Sequence, residues 1–140
     1  MAASCTLANN KTVIKIFDVE DGNLQIVLSG HNDLVHDICW SRDDRYLVTA
    51  SADGAVRIWN MNDKETEHSD RLNSVDNDHL FKITELYHPS FVYGAKIHPT
   101  RDEEVLYIAT ICFDQKVRIW SVNLADLENP YEKLEKEMSI

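Results

Sequence analysis

Short runs of β-branched, aliphatic and aromatic residues, broken by polar positions at strand spacing, follow one another along the chain. They cover residues 24–28, 35–40, 46–51, 56–59, 80–86, 92–97 and 105–111. Turn-forming clusters separate them: Asp21-Gly22, Ser29-Gly30, residues 41–44, Ala52-Asp53-Gly54, His88-Pro89 and His98-Pro99. Three further stretches align without gaps: Thr12-Val13-Ile14-Lys15-Ile16-Phe17-Asp18, Gly54-Ala55-Val56-Arg57-Ile58-Trp59-Asn60 and Gln115-Lys116-Val117-Arg118-Ile119-Trp120-Ser121. Each reads as a strand with a closing aromatic residue. Together the pattern predicts about nine strands and an all-β fold.

The three closing aromatics, Phe17, Trp59 and Trp120, stand 42 and 61 residues apart. The first interval is the length of one four-stranded repeat. The second is the same repeat carrying an insertion, supplied mainly by residues 60–78 and extended at Asp102-Glu103-Glu104. The last residues break the pattern. Residues 124–127 and 131–138 read as a charged, solvated tail, with a short helix around Pro130 as the competing reading.

Charge changes this picture in one respect. The 140 residues carry 24 acids and 14 bases, a net charge of −10. Residues 61–80 hold six acids and two bases, and residues 125–140 hold five and two, so these two stretches account for −7 of it. The acidic insertion at 61–79 reads as a solvated loop, and the repeats themselves are close to neutral. An excess of anions repels nucleic-acid phosphate, so no nucleic-acid partner is expected. No apolar run is long enough to span a bilayer, and Met1-Ala2-Ala3-Ser4-Cys5-Thr6-Leu7 has no secretory pattern. Cys5, Cys39 and Cys112 are too scattered for a disulfide framework, which favours a reducing, cytoplasmic setting. The sequon Asn10-Lys11-Thr12 is therefore expected to be idle.

The second repeat carries Gly30-His31, Asp37, Trp40-Ser41, Asp43-Asp44, Leu47-Val48-Thr49-Ala50-Ser51, Asp53-Gly54 and Trp59-Asn60. It resembles the WD40 repeat, which runs from Gly-His to Trp-Asp. The third repeat, from His88 to Trp120-Ser121, lacks the Gly before His and the closing Asp. Residues 88–99, with Gly30-His31 and 35–44, are similar to the propellers of the jouberin family of ciliary scaffolds. The WD40 resemblance implies a structural tetrad that ties three strands of a blade together. A buried indole N–H needs an acceptor, a hydroxyl can accept and pass the bond on, and an imidazole relays it to a carboxylate in a turn. Carried over, this gives His31, Thr49, Asp53 and Trp59, and then His88, Thr110, Asp114 and Trp120. Thr to Asp is 4 and Asp to Trp is 6 in both, while His to Asp is 22 in one and 26 in the other. Ser51 competes with Thr49 for the hydroxyl position.

The repeat accounts for the same His, Asp and Thr residues that would suggest a catalytic triad, and no nucleophile elbow, phosphate loop or HExxH occurs. No enzymatic activity, cofactor or metal is expected. His88, His98 and Cys112 lack ligand spacing. Cys39 and Cys112 are expected to pack as small hydrophobes, and Tyr46, Tyr93 and Tyr107 as core or inter-blade residues. The expected organisation is an N-terminal extension (1–11), WD40 repeats (12–123) and a charged C-terminal tail (124–140). Within the repeats lie a partial blade (12–28), a full blade (35–86) with the acidic insertion, and a partial blade (92–122). About two to two and a half blades make an open arc, too few to close a propeller ring. The resemblance implies a non-catalytic protein–protein scaffold in cilium assembly or at the ciliary base. Such a chain would need further blades or a partner chain. The alternative is a strand-donating subunit that completes another chain's propeller.

Overall fold

The computed structural model describes residues 1–6, 12–62, 82–99, 104–127 and 129–140. Most of the expected acidic insertion, residues 102–103 and the sequon's Asn10 and Lys11 lie outside them. The described chain is all-β. Its strands are β1 (Ala2–Thr6), β2 (Thr12–Phe17), β3 (Leu24–Leu28), β4 (Val35–Trp40), β5 (Tyr46–Ser51), β6 (Ala55–Asn60), β7 (Lys82–Tyr87), β8 (Val92–Ile97), β9 (Val105–Cys112), β10 (Lys116–Asn123) and β11 (Tyr131–Ser139). They form three antiparallel meanders: β1-β2-β3, β4-β5-β6-β7 and β8-β9-β10-β11.

The sheets repeat one another in register as well as in sequence. β2, β6 and β10 are equivalent, and each meets its outer neighbour across a bulge, at Ile16/Phe17, Ile58/Trp59 and Ile119/Trp120. The inner strands β4 and β8 also share a bulge, at Val35/Asp37 and Val92/Gly94. The first sheet thus corresponds to the last three strands of the other two, and the arc holds three sheets without closing.

Two segments differ from expectation. Residues 2–6, assigned to the extension, pair with β2 from Ala2↔Ile16 to Thr6↔Thr12. Residues 131–139, expected as a tail, are the outer strand of the third sheet, paired with β10 from Lys116↔Ser139 to Asn123↔Tyr131. The bulge explains why this strand is hard to read. It takes Glu135 out of register, so Leu134, opposite Trp120, and Met138, opposite Val117, fall on different faces although their spacing is even. The charges in β11 serve an outer edge strand, where they discourage pairing with other chains.

The sheets stack face to face around two apolar clusters. Ile14, Ile16 and Leu28 of the first sheet pack on Leu47 and Trp59 of the second. Tyr46, Val48, Ala50, Val56, Ile58 and Leu86, on the second sheet's other face, meet Val92, Ala95, Leu106, Ile108, Val122 and Leu124 of the third. Covered on both faces, β5 is buried at every position, whereas β9 alternates between buried and exposed residues. Gly54 holds the β5–β6 turn with φ +84°, and a Cβ there would come within 3.1 Å of the His88 carbonyl oxygen. Gln115 takes the same left-handed conformation, φ 64°, in the equivalent turn of the third sheet.

Candidate functional site

His31 precedes β4, Thr49 lies on β5, Asp53 in the following turn and Trp59 on β6. The structure brings all four together. The Nδ1–H of His31 donates to Asp53 Oδ2 (2.9 Å), which leaves Nε2 to accept the Thr49 hydroxyl (2.8 Å). The Thr49 oxygen in turn accepts the Trp59 indole N–H (3.0 Å). Backbone N–H groups of Asn32 and Ala55 hold the Asp53 carboxylate at 3.0 and 2.9 Å. Thr49 and Trp59 are fully buried and His31 nearly so. Ser51 serves the turn instead, its hydroxyl accepting the Asp53 N–H at 3.1 Å.

The third sheet repeats only part of this relay. Thr110 donates to His88 Nε2 (2.8 Å) and accepts the Trp120 indole N–H (3.0 Å). The His88 Nδ1–H, however, donates to the Leu86 carbonyl (3.1 Å). Asp114 stands apart from it and accepts from Arg118 Nη1 and Nη2 at 3.2 and 2.5 Å. The sequence supplies a reason. Asn32, whose N–H fixes Asp53 beside His31, is replaced after His88 by Pro89, which has no N–H. Without that anchor the carboxylate turns to the guanidinium.

The register brings in residues that the spacing argument missed. Arg57 faces Glu85 across β6–β7, with Nε donating to Oε1 at 2.6 Å. Arg118 faces Glu137 at the equivalent place on β10–β11, at 2.8 Å. The repeated Val-Arg-Ile-Trp was a signal for these pairs, but their acidic partners were legible only once the bulges set the register. Asp37 joins the second and third sheets, accepting from the Ala95 N–H (3.0 Å) and the Lys96 ammonium (2.7 Å).

Burial lowers the pKa of His31 despite the opposing Asp53 hydrogen bond, and burial lowers that of His88 against the pull of the Leu86 carbonyl. Burial acts to raise Asp53 and Glu85, but hydrogen bonds and opposite charges outweigh it. His31 holds Asp53 well below the usual carboxylate range, and Tyr87 and Arg57 bring Glu85 down to about 2. Both kinds of shift weaken the fold in acid. The unfolded histidines take up protons near their ordinary value of 6.5 while the folded ones resist, so stability falls as pH drops below it. The unfolded Glu85 protonates near 4.5, so its stabilisation is present above that value and is lost as pH falls towards 2. The thermal midpoint should therefore be level above pH 7 and fall in two stages below it. Glu85→Gln should reduce the lower stage, to which Asp53 also contributes, and leave the upper stage in place, and a midpoint that rises on acidification would contradict the relay.

Among the described residues no group of three or more His, Cys, Asp or Glu is placed to hold a metal ion. The His, Asp and Thr side chains of a catalytic reading are committed to cross-strand hydrogen bonds. The loop end of the sheets presents an exposed aromatic surface. Phe113 in the β9–β10 turn stands 6.0 Å from Phe91 and 6.1 Å from Tyr93, ring centre to ring centre, and Tyr93 lies 5.5 Å from His36. Phe91, Tyr93 and Phe113 are exposed, as is Leu34, which holds the Phe91 position in the second sheet. Both residues give their carbonyl to the N–H of the next turn, Leu34 to Ala52 and Phe91 to Phe113, each at 2.8 Å. Tyr46 packs in the core as expected, while Tyr93 and Tyr107 are exposed. Cys112 is buried and Cys39 half-buried.

Comparison with known proteins agrees with this geometry. The model of the family described as "WD domain, G-beta repeat" matches residues 22–60. Jouberin of Mus musculus is 36% identical over 123 residues, which cover 88% of this chain and 10% of that protein. Jouberin of Rattus norvegicus gives the same figures. The chain thus spans about a tenth of the length of these relatives. In fold, it resembles the crystal structure of the Cps50 (Swd1) β-propeller domain of Myceliophteria thermophila. The TM-score is 0.60 at 21% identity, over 94% of this chain and 34% of that one. The His–Thr–Trp relays, the repeated meanders and these likenesses agree: the chain belongs to the WD40-repeat family of β-propeller proteins.

Proposed function

We propose that the chain acts as a protein-binding scaffold whose partner docks on the loop end around Phe91, Tyr93 and Phe113. The observation that carries this is the exposure of Phe91 and Tyr93, each packed against the exposed ring of Phe113, beside turns whose polar groups are already bonded. Exposed aromatic clusters are anchors for protein partners, since they offer large area at little entropic cost. Asp33 and Asp114 adjoin the patch in sequence, but Arg118 already engages Asp114 and the repeats are close to neutral. The favoured occupant is therefore an apolar segment.

Likeness to jouberin supports a setting at the ciliary base or in cilium assembly, within a cytoplasmic protein. No helix of the described residues is long and apolar enough to cross a membrane. The three-stranded first sheet supports a second element of the reading, completion by further blades or a partner chain. β1 has one neighbouring strand there where β5 and β9 have two. In ciliated cells, the tagged chain should concentrate at the ciliary base. Phe91→Ala with Phe113→Ala should weaken partner capture on the order of thirtyfold, the loss of about 2 kcal/mol at a hot spot. The thermal midpoint should not move, since both rings are exposed. Diffuse distribution of the parent chain would remove the ciliary setting, and undiminished capture by the variant would remove the loop-end assignment.

A further inference from the structure

Two Asp-Gly dipeptides, Asp21-Gly22 and Asp53-Gly54, occupy turns between paired strands, β2–β3 and β5–β6. In this dipeptide the backbone nitrogen can attack the side-chain carboxyl carbon of the aspartate, because glycine places no Cβ in the way. The structure sets the two apart. At Asp53 both reacting groups are held. The carboxylate accepts from the His31 ring N–H and from the N–H groups of Asn32 and Ala55. The Gly54 nitrogen donates to the Ser51 carbonyl at 3.2 Å, and Gly54 is buried against the His88 and Ser90 carbonyl oxygens.

At the first dipeptide both groups are free to meet. Asp21 and Gly22 are exposed, and among the described residues no other part of the chain comes within 4 Å of where a Gly22 Cβ would stand. The Gly22 N–H has no hydrogen-bond partner among those residues. Asp21 Oδ1 accepts the Asn23 N–H at 2.8 Å, which folds the carboxyl back over the Gly22 peptide.

We propose that Asp21 is a site of spontaneous isomerisation to isoaspartate, and thereby a substrate for an S-adenosylmethionine-dependent carboxyl methyltransferase. The Gly22 nitrogen attacks Cγ of the protonated Asp21 carboxyl. Its proton and the carboxyl hydroxyl leave as water, and a succinimide ring closes. Water reopens the ring at either carbonyl. One opening restores aspartate; the other carries the main chain through Cβ and leaves a free carboxylate on Cα. That carboxylate takes the methyl group from the donor's sulfonium and S-adenosylhomocysteine departs. The ester recloses to the succinimide with loss of methanol, and hydrolysis returns part of it to aspartate. Isomerisation lengthens the main chain of a turn closed by the Asp18 N–H on the Asn23 carbonyl, at 2.9 Å. That bond and the neighbouring Phe17↔Leu24 pairing are what the modification loosens.

The test holds the full chain for several weeks in warm neutral buffer. Trypsin leaves Asp21 on the peptide 16–42 and Asp53 on 46–57, and electron-transfer fragmentation reads isoaspartate in each. Isoaspartate should accumulate at Asp21 on the order of a hundredfold faster than at Asp53, whose carboxylate must first leave three donors. In urea the two should react at similar rates, since the dipeptide is the same. Labelled methyl, transferred by a purified isoaspartyl methyltransferase, should enter the aged chain and fall several-fold in Asp21→Glu, whose longer side chain cannot close the ring. This exposed substitution should leave the thermal midpoint unchanged, so the fall reports the chemistry and not unfolding. Equal rates at Asp21 and Asp53 in the folded chain would overturn the proposal. So would a folded chain that gains no isoaspartate at Asp21 while the urea-treated chain does, or undiminished methyl uptake by Asp21→Glu.

Discussion

Replacing Asp53 by alanine is expected to cost about 3–5 kcal/mol of stability, since it leaves three donors without their acceptor at about 1–3 kcal/mol each. Three donors converge on its carboxylate, the His31 ring N–H and the backbone N–H groups of Asn32 and Ala55. The side chain is only 9% exposed, so little water can take its place. Each stranded donor then bears its own desolvation cost. Asp114→Ala, at the matching sequence position, should cost clearly less. Asp114 touches Arg118 and one backbone N–H but not His88, whose Nδ1–H is already satisfied by Leu86. Urea unfolding of the two variants and the parent, with equal slopes, gives the comparison directly. Equal losses at the two positions would mean that the relay through His31 adds nothing, and the structural role proposed for Asp53 would fail.

That contrast also shows how far the sequence could be read. Spacing alone placed Thr, Asp and Trp identically in the two repeats, and Thr110, Trp120 and His88 do meet. It gave no weight to Pro89, although the missing N–H is visible in the sequence and redirects Asp114. β2 to β10 were legible as short β-branched, aliphatic and aromatic runs bounded by turn residues, a signal that holds whether one face is exposed, as in β9, or both are covered, as in β5. β11 was not, because a bulge at Glu135 sends Leu134 and Met138 to different faces and an exposed outer edge needs no apolar pattern. β1 is short and built of Ala, Ser, Cys and Thr, residues that mark neither face. The cross-strand pairs Arg57–Glu85 and Arg118–Glu137 required the register, which no local pattern supplies.

Trp59→Ala should be as damaging as Asp53→Ala, again about 3–5 kcal/mol, but through packing. Its indole is fully buried between the first two sheets, in the cluster with Ile14, Ile16, Leu28 and Leu47. Truncation leaves a cavity bounded by two stacked sheets, whose backbones are fixed by their own hydrogen bonds and cannot collapse into it. It also removes the donor to Thr49. Trp59→Phe separates the two contributions. It keeps the larger part of the aromatic bulk while losing the hydrogen bond, so about 1–2 kcal/mol should go. Trp120→Ala should fall between them, since Trp120 makes the same bond to Thr110 but is only half-buried. Unfolding midpoints ordered parent, Trp59→Phe, Trp120→Ala, Trp59→Ala are the expected result. If Trp59→Phe were as destabilising as Trp59→Ala, the polar relay and not the packed ring would be what binds the first sheet to the second.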